Sequence, residues 1–471
     1  HYLGEEKMDE IMQDYYETWK FKHPYPEDVR TVFEKHTNKD LSWYFDGVLK
    51  TTDYVDFSIQ KKDGRYIISN EGELKVPVEV VFFGDNHKIL ERRWLEGFEW
   101  RTTVDPPANV WYAMIDPDEH MPDVNRTNNS TRKETHFHFV WDQPTYYDHD
   151  INYLPWLFSY NFYNGWTPGA VMYKGGAPGY TSTTSIQPMW DFNNNLPVIK
   201  LYRINNFNSN NVFRTSSLSF SGMQYQGNTG GAIKFDGSYG EDESMKSISA
   251  DINYTKLASG AFDTLIYSIG QYTTASINYS LIRQLEGTLK RSSFNMGIQL
   301  GNGFTSAWVE ADLKIKFSTK LGTDIRIWTG TFLNSDNVPT HFRSFISGGV
   351  DPNFSTNILD RTGRSNMSVI NNQFVKSGPA LRGVVRQDGI PISSTEMTWG
   401  VNIDPSFPLF IDMAGGADFD QTYTAAGLKF GPLIIPFYQS WEIENKTAKN
   451  WQWIKERIRL TFSIDLVNLT F

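Results

Sequence analysis

No cysteine occurs among the 471 residues. That removes disulfides, thiolate metal sites and cysteine nucleophiles together. The chain also lacks any apolar run approaching the ~18–20 residues that a membrane-spanning helix needs, and its mean hydropathy is −0.45. Basic excess is missing too: 44 Lys and Arg stand against 54 Asp and Glu, for a formal net charge of −10. A general nucleic-acid binder needs a basic stripe to displace counterions from phosphates, so no nucleic-acid partner is expected. Aromatic side chains, by contrast, make up 15% of the sequence. Disordered segments are poor in such residues, so a folded chain follows. Its length allows roughly two to four domains.

The first 55 residues read as helical. Met8, Ile11, Met12, Tyr15 and Trp19 recur at steps of three and four, which sets them on one helix face. Pro24 closes that helix, and Pro26-Glu27-Asp28 opens a second with Val29, Val32 and Phe33 as its stripe. A third, short helix follows Asn38, with Leu41, Tyr44, Phe45 and Val48 inward. The opening His1-Tyr2-Leu3-Gly4 carries neither an initiator methionine nor a signal peptide, so a truncated or processed N-terminus is expected.

Leu3-Gly4-Glu5, the run Trp19-Lys20-Phe21-Lys22-His23-Pro24, and Asp40-Leu41-Ser42-Trp43-Tyr44-Phe45 resemble the closing helices of the catalytic domain in membrane alanyl aminopeptidase-type zinc peptidases (gluzincins). The resemblance continues through Asp53-Tyr54, covering about the first 60 residues well and about 130 loosely. In that family a His-Glu-x-x-His helix and a second Glu hold zinc, and the first Glu activates water. This sequence has no such motif, and the family's proton-donating Tyr lies upstream of the matching region. No catalytic, cofactor-binding or metal-binding residue is therefore assigned. Zinc is expected only in a missing catalytic portion, and this chain alone is expected to be inactive.

From Asp56 the period changes to two. Val76, Val78, Val80 and Phe82 alternate with Lys75, Pro77, Glu79 and Val81, as in a half-buried strand. Further strands are expected near 65–69, 98–104 and 109–115, making a small β-sandwich module over 56–132. The resembled family places a β module of this type after its catalytic helices. The loop from Asp116 to Asn125 offers oxygen donors for calcium, yet it lacks the glycine and distal Glu of an EF-hand, so a turn with caps is the preferred reading. In the junction 133–155, His136-Phe137-His138 and Asp148-His149-Asp150 are zinc-compatible by type. Spacing fixes no third ligand, so polar junction residues are preferred.

Beyond Tyr153 nearly every segment alternates. Val309, Ala311, Leu313 and Ile315 oppose Glu310, Asp312, Lys314 and Lys316; Ile458, Leu460, Phe462 and Ile464 oppose Arg457, Arg459, Thr461 and Ser463. Met397, Trp399, Val401 and Ile403 likewise oppose Thr398, Asn402 and Asp404. A soluble sandwich alternates as well. Three features favour a transmembrane barrel with a polar lumen. The runs match strands of ~9–11 residues rather than the usual ~5–6. Aromatics such as Trp156, Tyr160, Trp166, Trp190, Tyr225, Trp328, Trp441 and Trp451 gather near strand ends, as interface girdles require. The terminal Phe471 on a final amphipathic strand resembles the terminal signal of bacterial outer-membrane barrels. The expected fold class is thus mainly β: a transmembrane antiparallel β-barrel over 156–471, preceded by the helical segment and the small sandwich. About 14 strands are expected, with 12 and 16 as the even neighbours.

The longest gap, residues 334–394, is too long for a structureless connection and is expected to be an external loop, a lumen plug or a lid. Its Ser377-Gly378-Pro379-Ala380-Leu381-Arg382-Gly383 stretch resembles a segment of surface-antigen-type barrels. Arg382 is expected to reach into the lumen and pair with an acid such as Glu310, Asp312, Asp404 or Asp412. The leading functional expectation is the membrane-anchoring C-terminal portion of an aminopeptidase-like outer-membrane protein. The alternative is an outer-membrane pore or transport component with a docking platform, its lumen lined by Glu310, Asp312, Lys314, Lys316 and Arg326. An enzyme at the barrel rim is a third idea; His341 with Asp351 or Asp360 is near in sequence, without a grouped nucleophile, base and orienter. Expected partners are outer-membrane lipid and either the missing catalytic portion or other envelope proteins, in the bacterial outer membrane.

Overall fold

The computed structural model describes residues 1–132, 135, 137–141, 151–157, 159–175, 182–207, 212–348, 350–355, 360–387, 390–442 and 451–461. The chain divides into two compact units, one chiefly residues 1–152 and the other chiefly residues 153–470.

In the first unit, helices span Glu5–Trp19 and Pro26–Thr37, followed by a π-helical turn at Trp43–Val48. Pro26 takes the first helical position, where its missing N–H costs nothing. Asp28 accepts the backbone N–H of Tyr25 at 2.9 Å, and Asn38 ends the helix in the left-handed region. Of the first helix's stripe Ile11 is fully buried, whereas Met8 and Met12 stay exposed. Leu41 and Phe45 are buried as expected; Tyr44 faces out, because the wider π turn rotates it away from the stripe that α geometry would give.

Two three-stranded antiparallel sheets follow. One orders Phe57–Lys62, Arg65–Asn70 and Arg101–Val104; the other orders Ile89–Leu95, Val78–Phe83 and Tyr112–Ile115. Phe57, Ile59, Tyr66 and Ile68 from the first share a core with Val78, Val80, Phe82 and Ile115 from the second. Asp63 and Gly64, both at positive φ, make the two-residue turn that fixes the first hairpin. Val78–Phe83 differs from its half-buried expectation. It is the central strand of its sheet and is buried on both faces, with Val81 and Phe83 packing on Tyr112 and Met114. Ile89–Leu95 has no apolar alternation (Ile-Leu-Glu-Arg-Arg-Trp-Leu), so its period gave no signal.

The second unit is a β-barrel. Among the described residues, strand segments pair antiparallel in sequence order from Ser182–Asp191 to Arg459–Leu460, and seventeen segments close into one ring. The count exceeds the fourteen expected because the ring takes in Phe137–Phe139 and Ile151–Trp156, from the stretch expected to be a junction. Closure leaves no edge whose N–H and C=O groups would need water. Alternation sets the two faces. Ile233, Ile252, Ile277, Ile298, Ile327 and Ile411 are exposed outward, while Asn253, Thr255, Thr274, Arg326, Asn402 and Asp412 are buried inside. An apolar outside and a polar inside are the arrangement of a transmembrane barrel. Trp166, Trp190 and Trp451 lie exposed, but Tyr225 and Trp328, expected in the girdles, are buried. For Trp328 parity decides this, since its neighbour Ile327 points out. At one end the connections are short (241–244, 405–409, 430–433), and the other end carries the long ones (257–271, 334–398) beside two-residue turns (225–228, 301–304). The expected terminal strand beyond residue 461, with Phe471, lies outside the described residues.

Candidate functional site

The long connection between strands Gly322–Asn334 and Thr398–Pro405 carries its own short elements. Ser344–Phe345 pairs with Ser393–Ser394, Arg386–Gln387 pairs with Ile390–Pro391, and a helical turn spans Ser368–Asn371. Its side chains and carbonyls meet residues on the barrel's inner face, so the segment is folded into the lumen.

Arg382 is buried, at 4% exposure. Its Nε and Nη2 donate to the Asp412 carboxylate at 2.9 and 2.6 Å, and its backbone N–H donates to the same carboxylate at 2.7 Å. Its Nη1 donates to Asp404, and the guanidinium lies 4.5 Å from the centre of the Phe410 ring. Burial opposes the charge, but Asp412 and Asp404 outweigh it and raise the Arg382 pKa. Two of the four acids expected as partners are therefore the partners. The other two are engaged elsewhere: Arg326 pairs with Glu310 at 2.5 Å, and Lys376 reaches Asp312 at 3.3 Å.

Two more guanidiniums, both from the wall, satisfy carbonyls that a sheetless segment would leave orphaned. Arg326 donates to the Gly378 carbonyl at 2.9 Å and to Asn402 Oδ1 at 2.9 Å. Arg459 donates to the carbonyls of Asn372, Ser347 and Gln373 at 2.9–3.1 Å, and of Leu381 and Gly383 at 3.2 Å. Asn402 donates to the Ala380 carbonyl, and Gln439 Oε1 accepts the Val384 N–H. At Gly400 the loop lies directly on the wall: a Cβ there would sit 2.3 Å from the Pro379 carbonyl oxygen. Around these bonds Ile346, Leu381 and Val385 pack on Phe410, Ala414, Ala425 and Ile434. The lumen is thus not polar throughout. It is apolar where the loop seats.

The opposite wall is polar and leaves space. A cavity of about 570 Å³ is lined by Gln187, Lys200, Ser221, Lys234, Asp251 and Asn253 from the strands and by Asn353 and Phe354 from the loop. The loop is braced beside it by Arg361–Asp351 at 3.2 Å and by Asp360, which accepts from Thr362 and from the Phe162 N–H. His341 is not grouped with either acid. It is 1% exposed, neither ring nitrogen has a hydrogen-bond partner, and its ring lies among Tyr267, Tyr272 and Phe342. Burial pushes its pKa down to about 4. No rim catalytic group is assembled from these residues.

In the first unit, Asp116 accepts the backbone N–H groups of His120 and Met121 at 3.0 and 2.6 Å, so the carboxylate loop is the capped turn that was expected. His136 and Asp148-His149-Asp150 lie outside the described residues.

No family model and no curated protein matches the chain, so the aminopeptidase resemblance finds no support from that direction. Among solved structures, the chain is similar to BamA from Haemophilus ducreyi lacking POTRA domains 1–3, at 8% identity over 93% of this chain and 94% of that one, TM-score 0.34. It is also similar to CdiB from Acinetobacter baumannii, at 9% identity over 84% of this chain and 63% of that one, TM-score 0.25. The strand order and its closure carry the fold; these likenesses do not.

Proposed function

We propose that the chain is a bacterial outer-membrane β-barrel working as a transport or assembly-type component, with a lumen narrowed by its own loop. The observation that supports this most is the asymmetry of the lumen. One side is filled by a segment clamped through Arg382, Arg326 and Arg459, and the other keeps a polar cavity of about 570 Å³. A barrel that only anchored its neighbour would need no polar cavity beside a seated plug. Outer-membrane lipid covers the apolar belt, and other envelope proteins are the partners. Conductance in planar bilayers tests the reading. The wild-type barrel should give small, stable steps, and Arg382→Ala should enlarge them several-fold. Silence from both would refute it.

The membrane-anchoring part of an aminopeptidase-like protein stands as the second reading. It is favoured by the order of two helices, a helical turn and two facing sheets over residues 5–115, which suits the resemblance of residues 1–130. A silent barrel would support it.

A further inference from the structure

A second site of a different kind lies in the first unit. Among the described residues, His1, Asp118 and His120 bring one ligand atom each to within 4.8 Å of one another, all three exposed. The local sequence explains how. Asp116 ends the strand Tyr112–Ile115 in the left-handed region, and its buried carboxylate ties the turn back onto residues 120 and 121. Arg126 closes the turn from below by donating to the same carboxylate at 3.3 Å. With Glu119 also at positive φ, Asp118 and His120 leave the turn as neighbours two residues apart.

His1 meets them there. Its ring stacks on that of His120, with centroids 4.0 Å apart and planes within 5°. Its Nε2 stands 3.2 Å from the carboxylate of Glu79, which is 2% exposed. A buried carboxylate on the far nitrogen is the outer partner that metal-ligating histidines carry, and it fixes ring orientation and tautomer. Arg92 donates to one oxygen of Asp118 at 2.7 Å and to Glu79 at 3.0 Å, leaving the other Asp118 oxygen as a monodentate donor.

We propose that His1, Asp118 and His120 form a divalent transition-metal site that clips the leading segment of the chain to the 116–121 turn. Two imidazoles and one carboxylate are a donor set for Zn²⁺, Ni²⁺ or Cu²⁺, whereas Ca²⁺ and Mg²⁺ need several oxygens. Donors on a tetrahedral Zn²⁺, at bond lengths of about 2.0–2.1 Å, lie about 3.4 Å apart. Because the lone pairs of the stacked rings lie in parallel planes, metal binding requires the exposed His120 ring to turn out of the stack while Glu79 holds His1. The fourth position goes to water. This site is separate from the peptidase zinc that the early resemblance implies, for it lies on a β-turn and contains no His-Glu-x-x-His helix.

Zn²⁺ titration of the purified, tag-free full chain at pH 7.5, followed by calorimetry and by metal content after dialysis, tests the proposal. One Zn²⁺ per chain is expected, with Ca²⁺ and Mg²⁺ at millimolar concentration failing to displace it. His120→Ala and the milder His120→Asn should each weaken binding by about a hundredfold and Asp118→Asn by about tenfold, while His87→Ala on the same unit leaves it unchanged. Circular dichroism shows that each variant is folded. Binding that survives both the His120 and Asp118 changes, or no Zn²⁺ uptake in the titration, overturns it.

Discussion

Arg382→Ala tests whether the lumen segment is held as a unit. The substitution removes three guanidinium bonds to Asp412 and one to Asp404. Asp404 keeps Lys429 at 3.5 Å. Asp412, with no exposure, keeps of these contacts only the amide N–H of residue 382. Breaking a buried pair from one side strands the other charge and costs about 3–5 kcal/mol, most of it the stranded carboxylate. Arg382→Lys, which keeps the charge but loses the fork, should fall about halfway. Replacing both partners (Arg382→Met with Asp412→Leu) removes the stranded charge, so the double variant should lose less than Arg382→Ala alone. Denaturant titration of the detergent-folded barrel, followed by tryptophan fluorescence, measures all of this. Trp441 is the local reporter, since its ring lies against Gly383. A loss below about 1 kcal/mol for Arg382→Ala, or a double variant as costly as the two single changes summed, would refute the clamp.

Gly400→Val forces the loop off the wall, because the new Cβ would overlap the Pro379 carbonyl; trypsin should then cut at Arg382 and Arg386 in folded barrel, and uncut protein would refute it. Gly222→Ala, whose added methyl meets nothing closer than 3.9 Å, is the silent control. His341→Phe removes two unsatisfied nitrogens from an aromatic cage and should raise the unfolding free energy by about 1–2 kcal/mol; a loss would mean that a nitrogen has a role. Asp56 is buried, and burial and then the neighbouring Asp123 raise its pKa from 3.8 to about 6. The unfolded chain ionises it first, so the first unit should lose about 3 kcal/mol as pH rises from about 4 to about 6. Asp56→Asn should flatten that loss, read as hydrogen exchange in Phe57–Lys62, and an unchanged pH profile would count against it.

The alternating runs made the barrel legible, because a period of two with one apolar side has few other homes in segments of thirteen or fourteen residues. Arg382 was legible through the resemblance of residues 377–383 to a segment of surface-antigen-type barrels, set in a loop too long to be structureless, with four acids as its candidate partners. Parity could not choose among four acids, since pairing depends on where the loop lies along the barrel axis. The buried outer face of Val78–Phe83, the outward Tyr44 and the short ring segments were invisible for physical reasons. Each depends on a neighbour contributed from far along the chain or on a turn wider than an α-helix.

One signal was present in the sequence and has meaning only once the loop is placed. Inward positions on the strands Ser182–Asp191 through Ser244–Leu257 include Gln187, Lys200, Lys234, Asp251 and Asn253, whereas those on Leu409–Gly416 through Leu433–Gln439 include Phe410, Ala414, Ala425 and Ile434. A lumen filled only with water would favour polar residues on both arcs, because apolar area left wet forfeits about 25 cal/mol per Å². Large apolar residues gathered on one arc therefore mark where a protein segment lies, and the charges that bond to it are Asp412 on that arc with Arg326 and Arg459 on strands to either side of it. If conduction needs the loop to leave its seat, that apolar arc becomes wet and its exposure opposes opening. Enlarging it by Ala425→Leu should crowd Gly383, whose own Cβ would lie 3.1 Å from the Ala425 methyl, and shift the barrel towards the open state. Polar substitution of Ile434, by contrast, should loosen the seat and also lower the cost of wetting it. Larger conductance from both variants is the expected result; a barrel that stays at wild-type steps with Ala425→Leu would mean that the loop is not the element that moves.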